Sequence, residues 1–195
     1  MKKAAVLCLC LAAAAAAEGQ YRGRLMTVKD ILGGLPQKDR TEFMSGMRLI
    51  NGRVASMNYA TLKKRGFSGA KTDSILKAFE SSAADAESFV PAGGKTLSDM
   101  REVMRGVPPA AAADFLDSLT LLDGGFVSAR TALLERSVPP SKYGEILKVV
   151  MPLARSGPAL LRNASCEAAA EEDGGPVQRG CSYNEGYTCN QALCR

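Results

Sequence analysis

MRLINGRVAS at residues 47–56 and LTLLDGGFVS at residues 119–128 share one pattern, an apolar run broken by Asn-Gly or Asp-Gly. These dipeptides tolerate the positive φ angles of a type I′ turn and are the strongest short-range signal for a β-hairpin. The alternative is a continuous helix, with an apolar stripe at Phe43, Met47, Ile50, Val54 and Met57. A helical glycine costs about 1 kcal/mol, and the second stretch would contain both Gly124 and Gly125. Because both stretches are interrupted at the same place, the hairpin is the favoured interpretation.

The similarity extends outward from the two turns. Residues 30–64 align without a gap on residues 102–136, with eight identical pairs over 35 residues. Ordinary residue usage would give roughly two or three such pairs. The identical pairs are Gly34/Gly106, Pro36/Pro108, Phe43/Phe115, Leu49/Leu121, Gly52/Gly124, Ser56/Ser128, Ala60/Ala132 and Leu62/Leu134. The pattern predicts an internal duplication with an offset of 72 residues.

Helix signals flank each predicted hairpin. The spacings Thr27-x-x-Asp30 and Asp99-x-x-Glu102 are typical of capped helix starts. Further helices are expected around residues 70–80 and 141–151. The sequence therefore predicts a mainly α fold with minor β (α+β). It would contain two tandem pseudo-symmetric units of about 72 residues, each helix–helix–short β-hairpin–helix, plus a disulfide-stapled C-terminal tail.

The predicted organisation begins with a signal peptide. Lys2 and Lys3 precede an apolar run that ends in Ala15-Ala16-Ala17, which is the small-x-small pattern of a secretory cleavage site. The run is too short for a membrane span, and no other stretch is long and apolar enough. We expect secretion or a periplasmic location. The expected segments are residues 1–17 (signal peptide), 18–80 (first unit), 81–98 (connector), 99–158 (second unit) and 159–195 (acidic, cysteine-rich tail).

Four cysteines remain after the predicted cleavage, and all of them lie in the tail: Cys166, Cys181, Cys189 and Cys194. An even number of cysteines in an exported chain predicts two disulfides. Zinc sites favour closely paired cysteines, and this chain has no histidine to complete a site or to activate a thiol nucleophile. We expect no metal and no cofactor. Sequence cannot decide the pairing rigorously, but closing the smallest loops would join Cys166 to Cys181 and Cys189 to Cys194.

Charge differs between the two predicted units. Residues 27–80 carry ten basic and five acidic side chains, whereas residues 99–150 carry six and seven. The excess of positive charge in the first unit suggests a binding patch for an anionic partner. Its candidate residues are Arg48, Arg53, Lys63, Lys64 and Arg65. The alternative is that Lys63, Lys64 and Arg65 only complement the dipole of a helix C-terminus.

Signals for catalysis are weak. The chain has no nucleophile elbow, P-loop, HExxH or calcium-loop motif. Asp114 and Asp117 are one turn apart on a predicted helix, but such pairs are usually a solvated surface. Tyr183 and Tyr187, between Cys181 and Cys189, form a candidate contact loop, although they could also pack on their own domain.

The function expected from these features is non-catalytic, namely binding of an unknown protein or an anionic surface component. Nucleic acid is not an expected partner. The alternatives are a hydrolase of an unfamiliar class that uses carboxylates or serine, and a secreted inhibitor or effector that presents the cysteine-bounded loop.

Cleavage of the exported chain should occur near Ala17, because the small-x-small pattern ends there. N-terminal sequencing of exported protein should begin close to Glu18. A mature form that retains Met1 would contradict this prediction.

Overall fold

The computed structural model describes residues 24–80, 97–152, 160–168 and 179–194. The predicted signal peptide and most of the predicted connector lie outside the described residues. Within the described part of the chain, no helix has both the length and the apolar character needed to cross a membrane.

Short helices occupy much of the described chain, and several begin where the sequence signals place them. Thr27 caps the first helix, since its hydroxyl accepts from the Asp30 backbone N–H at 3.1 Å and the Asp30 carboxylate accepts from the Thr27 N–H at 3.2 Å. Asp99 caps the fifth by accepting from the Arg101 N–H at 2.9 Å. In chain order the helices are α1 (Val28–Ile31), α2 (Gln37–Ser45), α3 (Ala60–Lys64), α4 (Gly69–Phe79), α5 (Met100–Val103), α6 (Pro109–Ser118), α7 (Ala132–Ser137) and α8 (Pro140–Val150).

The strands form one antiparallel sheet of eight strands within the described residues. The strands are β1 (Met26–Thr27), β2 (Arg48–Ile50), β3 (Arg53–Ser56), β4 (Leu97–Asp99), β5 (Thr120–Leu122), β6 (Gly125–Arg130), β7 (Leu160–Ala168) and β8 (Arg179–Asn190). The order along the main path is β1-β5-β6-β3-β2-β4. In addition, β8 pairs with β6, and β7 pairs with β8.

Both predicted hairpins are confirmed. Strands β2 and β3 pair across Asn51-Gly52, and β5 and β6 pair across Asp123-Gly124. All four turn residues have positive φ: 56° and 72° in the first turn, 47° and 73° in the second. Such angles suit Asn, Asp and Gly because these residues visit the left-handed region most readily.

The predicted fold class, a mainly α chain of two tandem units, is wrong. Strand β1 precedes the first hairpin along the chain but pairs with β5 of the second hairpin. Conversely, β4 precedes the second hairpin but pairs with β2 of the first. The hairpins also join each other, where Arg53 of β3 pairs with Gly125 of β6. The chain therefore builds a continuous antiparallel sheet with helices, and its two halves share that sheet instead of standing as separate tandem units.

The β5–β6 hairpin is buried on both faces. Leu121 and Phe126 belong to the main core, which the helices fill with residues such as Phe43 and Phe115. The adjacent Leu122 and Val127 belong to a second, smaller core. Since successive strand residues point to opposite faces, the two cores lie on opposite sides of this hairpin. The second core is completed by the tail residues Ala164, Cys166, Cys189 and Cys194.

The described residues of the tail belong to the sheet and to the second core. Strands β7 and β8, here called the tail ribbon, extend the sheet from β6 through the pairs Ser128–Cys189, Ala129–Thr188 and Arg130–Tyr187. The side-chain amide of Asn190, fully buried, donates to the Pro152 carbonyl at 2.9 Å. The ribbon is thus fixed both to the sheet and to the segment that follows α8.

Gly52→Ala should destabilise the protein by roughly 2–5 kcal/mol, because two costs add at this site. Alanine strains the φ of +72°, at about 1–2 kcal/mol. Its Cβ would also lie 2.5 Å from Pro152 Cδ and 2.7 Å from the Val150 carbonyl oxygen, and overpacking of this kind costs about 1–3 kcal/mol.

Gly66→Ala is the matched control, because Gly66 has a φ of +73° and an added Cβ there would meet no atom within 4 Å. It should show only the cost of backbone strain. Urea unfolding of the oxidised variants measures both changes. Equal destabilisation by the two substitutions would contradict the close contact between the first turn and the end of α8.

Candidate functional site

The five candidate basic residues do not form one free cluster of charge. Arg53 donates from Nη1 to the Asp123 carbonyl at 2.8 Å, in the turn of the other hairpin. Arg65 holds its Nε 2.6 Å from a carboxylate oxygen of Asp39, which is buried. This contact raises the pKa of Arg65, first through the hydrogen bond and then through the charge. Two of the five basic side chains therefore have partners within the fold.

The other three basic residues are exposed. Arg48 lies on β2, and Lys63 and Lys64 lie at the end of α3. The ammonium of Lys63 is 4.7 Å from the centre of the Tyr59 ring, a cation–π distance. Their role in binding remains a prediction.

The two candidate tyrosines have different environments. Tyr183 is 80% exposed, which makes it the most exposed large hydrophobic residue in the described chain. The Tyr187 hydroxyl accepts a hydrogen bond from Arg130 Nη2 at 2.9 Å, and the Arg130 guanidinium is 5.3 Å from the ring centre. Arg130 also donates to Asp114 at 2.9 Å. Its pKa is raised, mainly by the hydrogen bond with Tyr187. Tyr187 is therefore held by the fold, while Tyr183 is presented to solvent.

An irregularity in the tail ribbon separates the two tyrosines. Ala164 pairs with Tyr183 and Arg162 pairs with Thr188, so Asn163 alone lies opposite residues 184–187. We call residues 184–187 the β8 bulge. Asn163 has a φ of 52°, and its side-chain oxygen accepts from the Gly186 N–H at 3.1 Å. This contact fixes the bulge to β7.

Two disulfides hold the ribbon, which confirms their predicted number. They join Cys166 to Cys194 and Cys181 to Cys189. The pairing expected from the smallest loops is therefore wrong. Cys166 and Cys181 lie opposite each other in the β7–β8 ladder, yet the Cα atoms of Cys181 and Cys189, on either side of the bulge, are 5.9 Å apart and their sulfurs are bonded.

The disulfide sulfurs lie close together. The Sγ atoms of Cys181, Cys189 and Cys194 are within 4.8 Å of one another, which makes them a potential group of metal ligands in the described chain. Metal binding requires thiolates, and these sulfurs are bonded as disulfides. They form two neighbouring covalent cross-links.

A cavity of about 340 Å³ lies between α7 and the β8 bulge. No sequence pattern indicates it, because residues 131–136 form one wall and the distant residues 162–163 and 185–188 form the other. One wall includes Glu135 and Arg136, and the other includes Arg162 and Glu185. Arg162 and Glu135 form an ion pair at 2.8 Å. Thr131 and Thr188 also line the cavity, and their hydroxyls are hydrogen-bonded to each other at 2.9 Å.

The expectation that Asp114 and Asp117 form a solvated pair is wrong for Asp117. Asp117 is buried and receives two hydrogen bonds from Arg40 of α2, at 2.8 and 2.5 Å. The third Arg40 nitrogen donates to the Leu35 carbonyl at 2.6 Å. The hydrogen bond with Asp117 raises the pKa of Arg40, although burial acts in the opposite direction. Arginine thus neutralises each of the two carboxylates, since Asp114 pairs with Arg130.

No protein-family model, curated protein or solved structure matches this chain significantly. The assignment of function therefore rests on the site alone.

The disulfide pairing can be checked by peptide mapping without reduction. Cleavage after Arg179 and Glu185 separates Cys181 from Cys189 and Cys194. We expect the Cys166 peptide to be linked to the peptide that contains Cys189 and Cys194. After a second cut following Leu193, the Cys166 peptide should remain linked to the fragment that contains Cys194. A direct link between the Cys166 and Cys181 peptides would contradict the structure.

Arg40→Gln should lower the free energy of unfolding by about 3 kcal/mol, because it leaves Asp117 buried without a counter-charge. Arg105→Gln is the control, since Arg105 pairs with Glu102 on the exposed surface; it should cost less than about 1 kcal/mol. Urea unfolding measures both.

The raised pKa of Arg40 adds a pH criterion. Its stabilising contribution is present below the ordinary arginine pKa and is lost only as pH rises past the raised value. Ionisation of Arg40 should thus add no pH dependence, through neutral pH, to the difference in unfolding free energy between wild type and Arg40→Gln. Equal destabilisation by Arg40→Gln and Arg105→Gln would contradict the role of the buried pair.

Proposed function

We propose that this protein is an exported, non-catalytic binding protein that contacts its partner through the tail ribbon around Tyr183. The observation that carries the proposal is the 80% exposure of Tyr183 on a strand segment that pairs with β7. The Cys181–Cys189 disulfide spans the segment, and Tyr187 anchors its far end on Arg130.

Pre-organisation makes this segment suited to binding. A loop that is already rigid loses less conformational entropy when a partner binds it. Tyrosine supplies a large contact area with few rotatable bonds, and its hydroxyl can hydrogen-bond at the edge of an interface. An aromatic side chain is also the residue type in which interface binding energy is often concentrated.

Export is supported by the disulfides together with the predicted signal peptide. Disulfides persist in oxidising compartments and are rare in the cytosol. The Cys166–Cys194 bridge is buried in the second core, so the tail ribbon depends on oxidation for its structure. A protein of this kind is suited to the periplasm or to the extracellular space.

The alternatives receive less support from the geometry. A hydrolase that uses Asp114 and Asp117 would need to free these carboxylates from Arg130 and Arg40. The exposed residues Arg48, Lys63 and Lys64 remain available to an anionic partner, although neither disulfide spans the segments that carry them. An inhibitor or effector that presents the cysteine-bounded loop would use the same Tyr183 surface as the proposed binding protein.

Tyr183→Ala should weaken binding of the partner at least about tenfold, because it removes a pre-organised aromatic contact. The partner is first captured by the mature protein from its native compartment and identified by mass spectrometry. Binding is then measured for purified components. Tyr59→Ala is the matched control, since Tyr59 is 42% exposed and lies beside the basic residues of α3.

A Lys63→Glu, Lys64→Glu variant tests the competing surface. If the ribbon is the binding surface, this variant should retain near-normal affinity, and salt should have a small effect. Two results together would assign the function to the basic residues instead: binding falls steeply with ionic strength, and it is lost in the charge-reversed variant but retained in Tyr183→Ala.

A further inference from the structure

The cavity between α7 and the β8 bulge carries an inference of its own. We infer that it is a binding site for a small zwitterion, a compound such as a free dipeptide that carries one ammonium and one carboxylate group. The inference concerns a ligand site beside the Tyr183 surface and does not require that surface to bind a partner.

The size of the cavity is suited to such a ligand. Its volume of about 340 Å³ is at the lower end of the range for small-molecule sites. Residues of α7 line one side, and residues of the tail ribbon line the other. A ligand in the cavity would therefore contact both at once.

The charges around the cavity are balanced, with two arginines and two glutamates. One of each is already used, because Arg162 and Glu135 pair with each other at 2.8 Å. Arg136 and Glu185 remain. Among the described residues, neither has an ion-pair partner, and Arg136 donates only its Nε, to the Ala132 carbonyl at 3.0 Å.

The two remaining charges define the ligand chemistry. With Nε occupied, Arg136 keeps both Nη groups, which together offer four N–H donors to a carboxylate. Glu185 offers two acceptor oxygens to an ammonium group. Both side chains are exposed, so a ligand with only one charge would contact one of them and leave the other hydrated, whereas a zwitterion contacts both.

The cavity walls are held in place before any ligand binds. The Thr131 N–H donates to the Gly186 carbonyl at 2.7 Å, which joins the start of α7 to the bulge. The Gly186 N–H donates in turn to the side chain of Asn163 at 3.1 Å, and Thr131 and Thr188 are joined through their hydroxyls. The backbone of the site is therefore pre-formed, which reduces the entropy lost on binding.

The test uses the mature chain with its disulfides intact and L-alanyl-L-alanine as the probe, titrated at neutral pH with NMR chemical shifts as the readout. We expect saturable shifts at residues around the cavity. N-acetylation of the probe removes its ammonium and C-amidation removes its carboxylate. Each change should weaken binding about two- to fivefold, because each removes one ion pair with an exposed side chain.

Substitutions test which side chain binds each charged group of the dipeptide. Arg136→Gln should weaken the dipeptide but have little effect on binding of the C-amidated probe, and Glu185→Gln should behave likewise toward the N-acetylated probe. Arg105→Gln and Glu102→Gln are matched controls, because these exposed residues pair with each other and do not line the cavity. Retained disulfides and an unchanged unfolding midpoint establish that each variant is folded.

Any of three results would overturn the inference. They are no saturable shifts at millimolar dipeptide, capped probes that bind as well as the dipeptide, or control variants that lose as much binding as Arg136→Gln and Glu185→Gln. Tyr183→Ala separates this inference from the proposed function. It should leave dipeptide binding unchanged even where it abolishes capture of a partner protein.

Discussion

The junction between the two hairpins is the constraint on which the rest of the structure depends. Arg53 of β3 pairs with Gly125 of β6, and the Arg53 guanidinium donates to the Asp123 carbonyl of the opposite turn. The Phe126 N–H donates to the Gly52 carbonyl at 3.3 Å. These contacts require both turns to adopt left-handed backbone, and they merge two short hairpins into one sheet. Isolated two-stranded hairpins are only marginally stable in water, so this merger is essential.

The helices and the tail then cover different faces of that sheet. The helices fill the main core, where Arg40 and Asp117 connect α2 to α6 through a buried ion pair. The tail ribbon covers the opposite face of the second hairpin, where Leu122 and Val127 are buried. In the first hairpin, Ile50 remains 38% exposed. The two hairpins therefore share a turn geometry but differ in burial.

The packing of the tail ribbon against the rest of the fold also forms the candidate sites. The tail ribbon reaches the start of α7 through Thr131 and Gly186, and this contact closes one side of the cavity. The β8 bulge that makes the contact also separates Tyr183 from Tyr187, because it holds one ring on Arg130 and leaves the other in solvent. Rigidity and exposure thus arise from one irregularity in one strand, which the disulfides keep in place.

The sequence by itself determined the local features. Asn51-Gly52 and Asp123-Gly124 specify hairpins because few other residues accept positive φ, and Thr27 specifies a helix start because its hydroxyl satisfies a free backbone N–H. The cysteine count predicted two disulfides. Only the tertiary structure decided the rest. Strands as short as β1 and β4 have no periodic signal, and their pairing depends on contacts between distant segments. The cysteine pairing, the burial of Asp117 and the cavity likewise arise where distant parts of the chain meet, which local pattern does not encode.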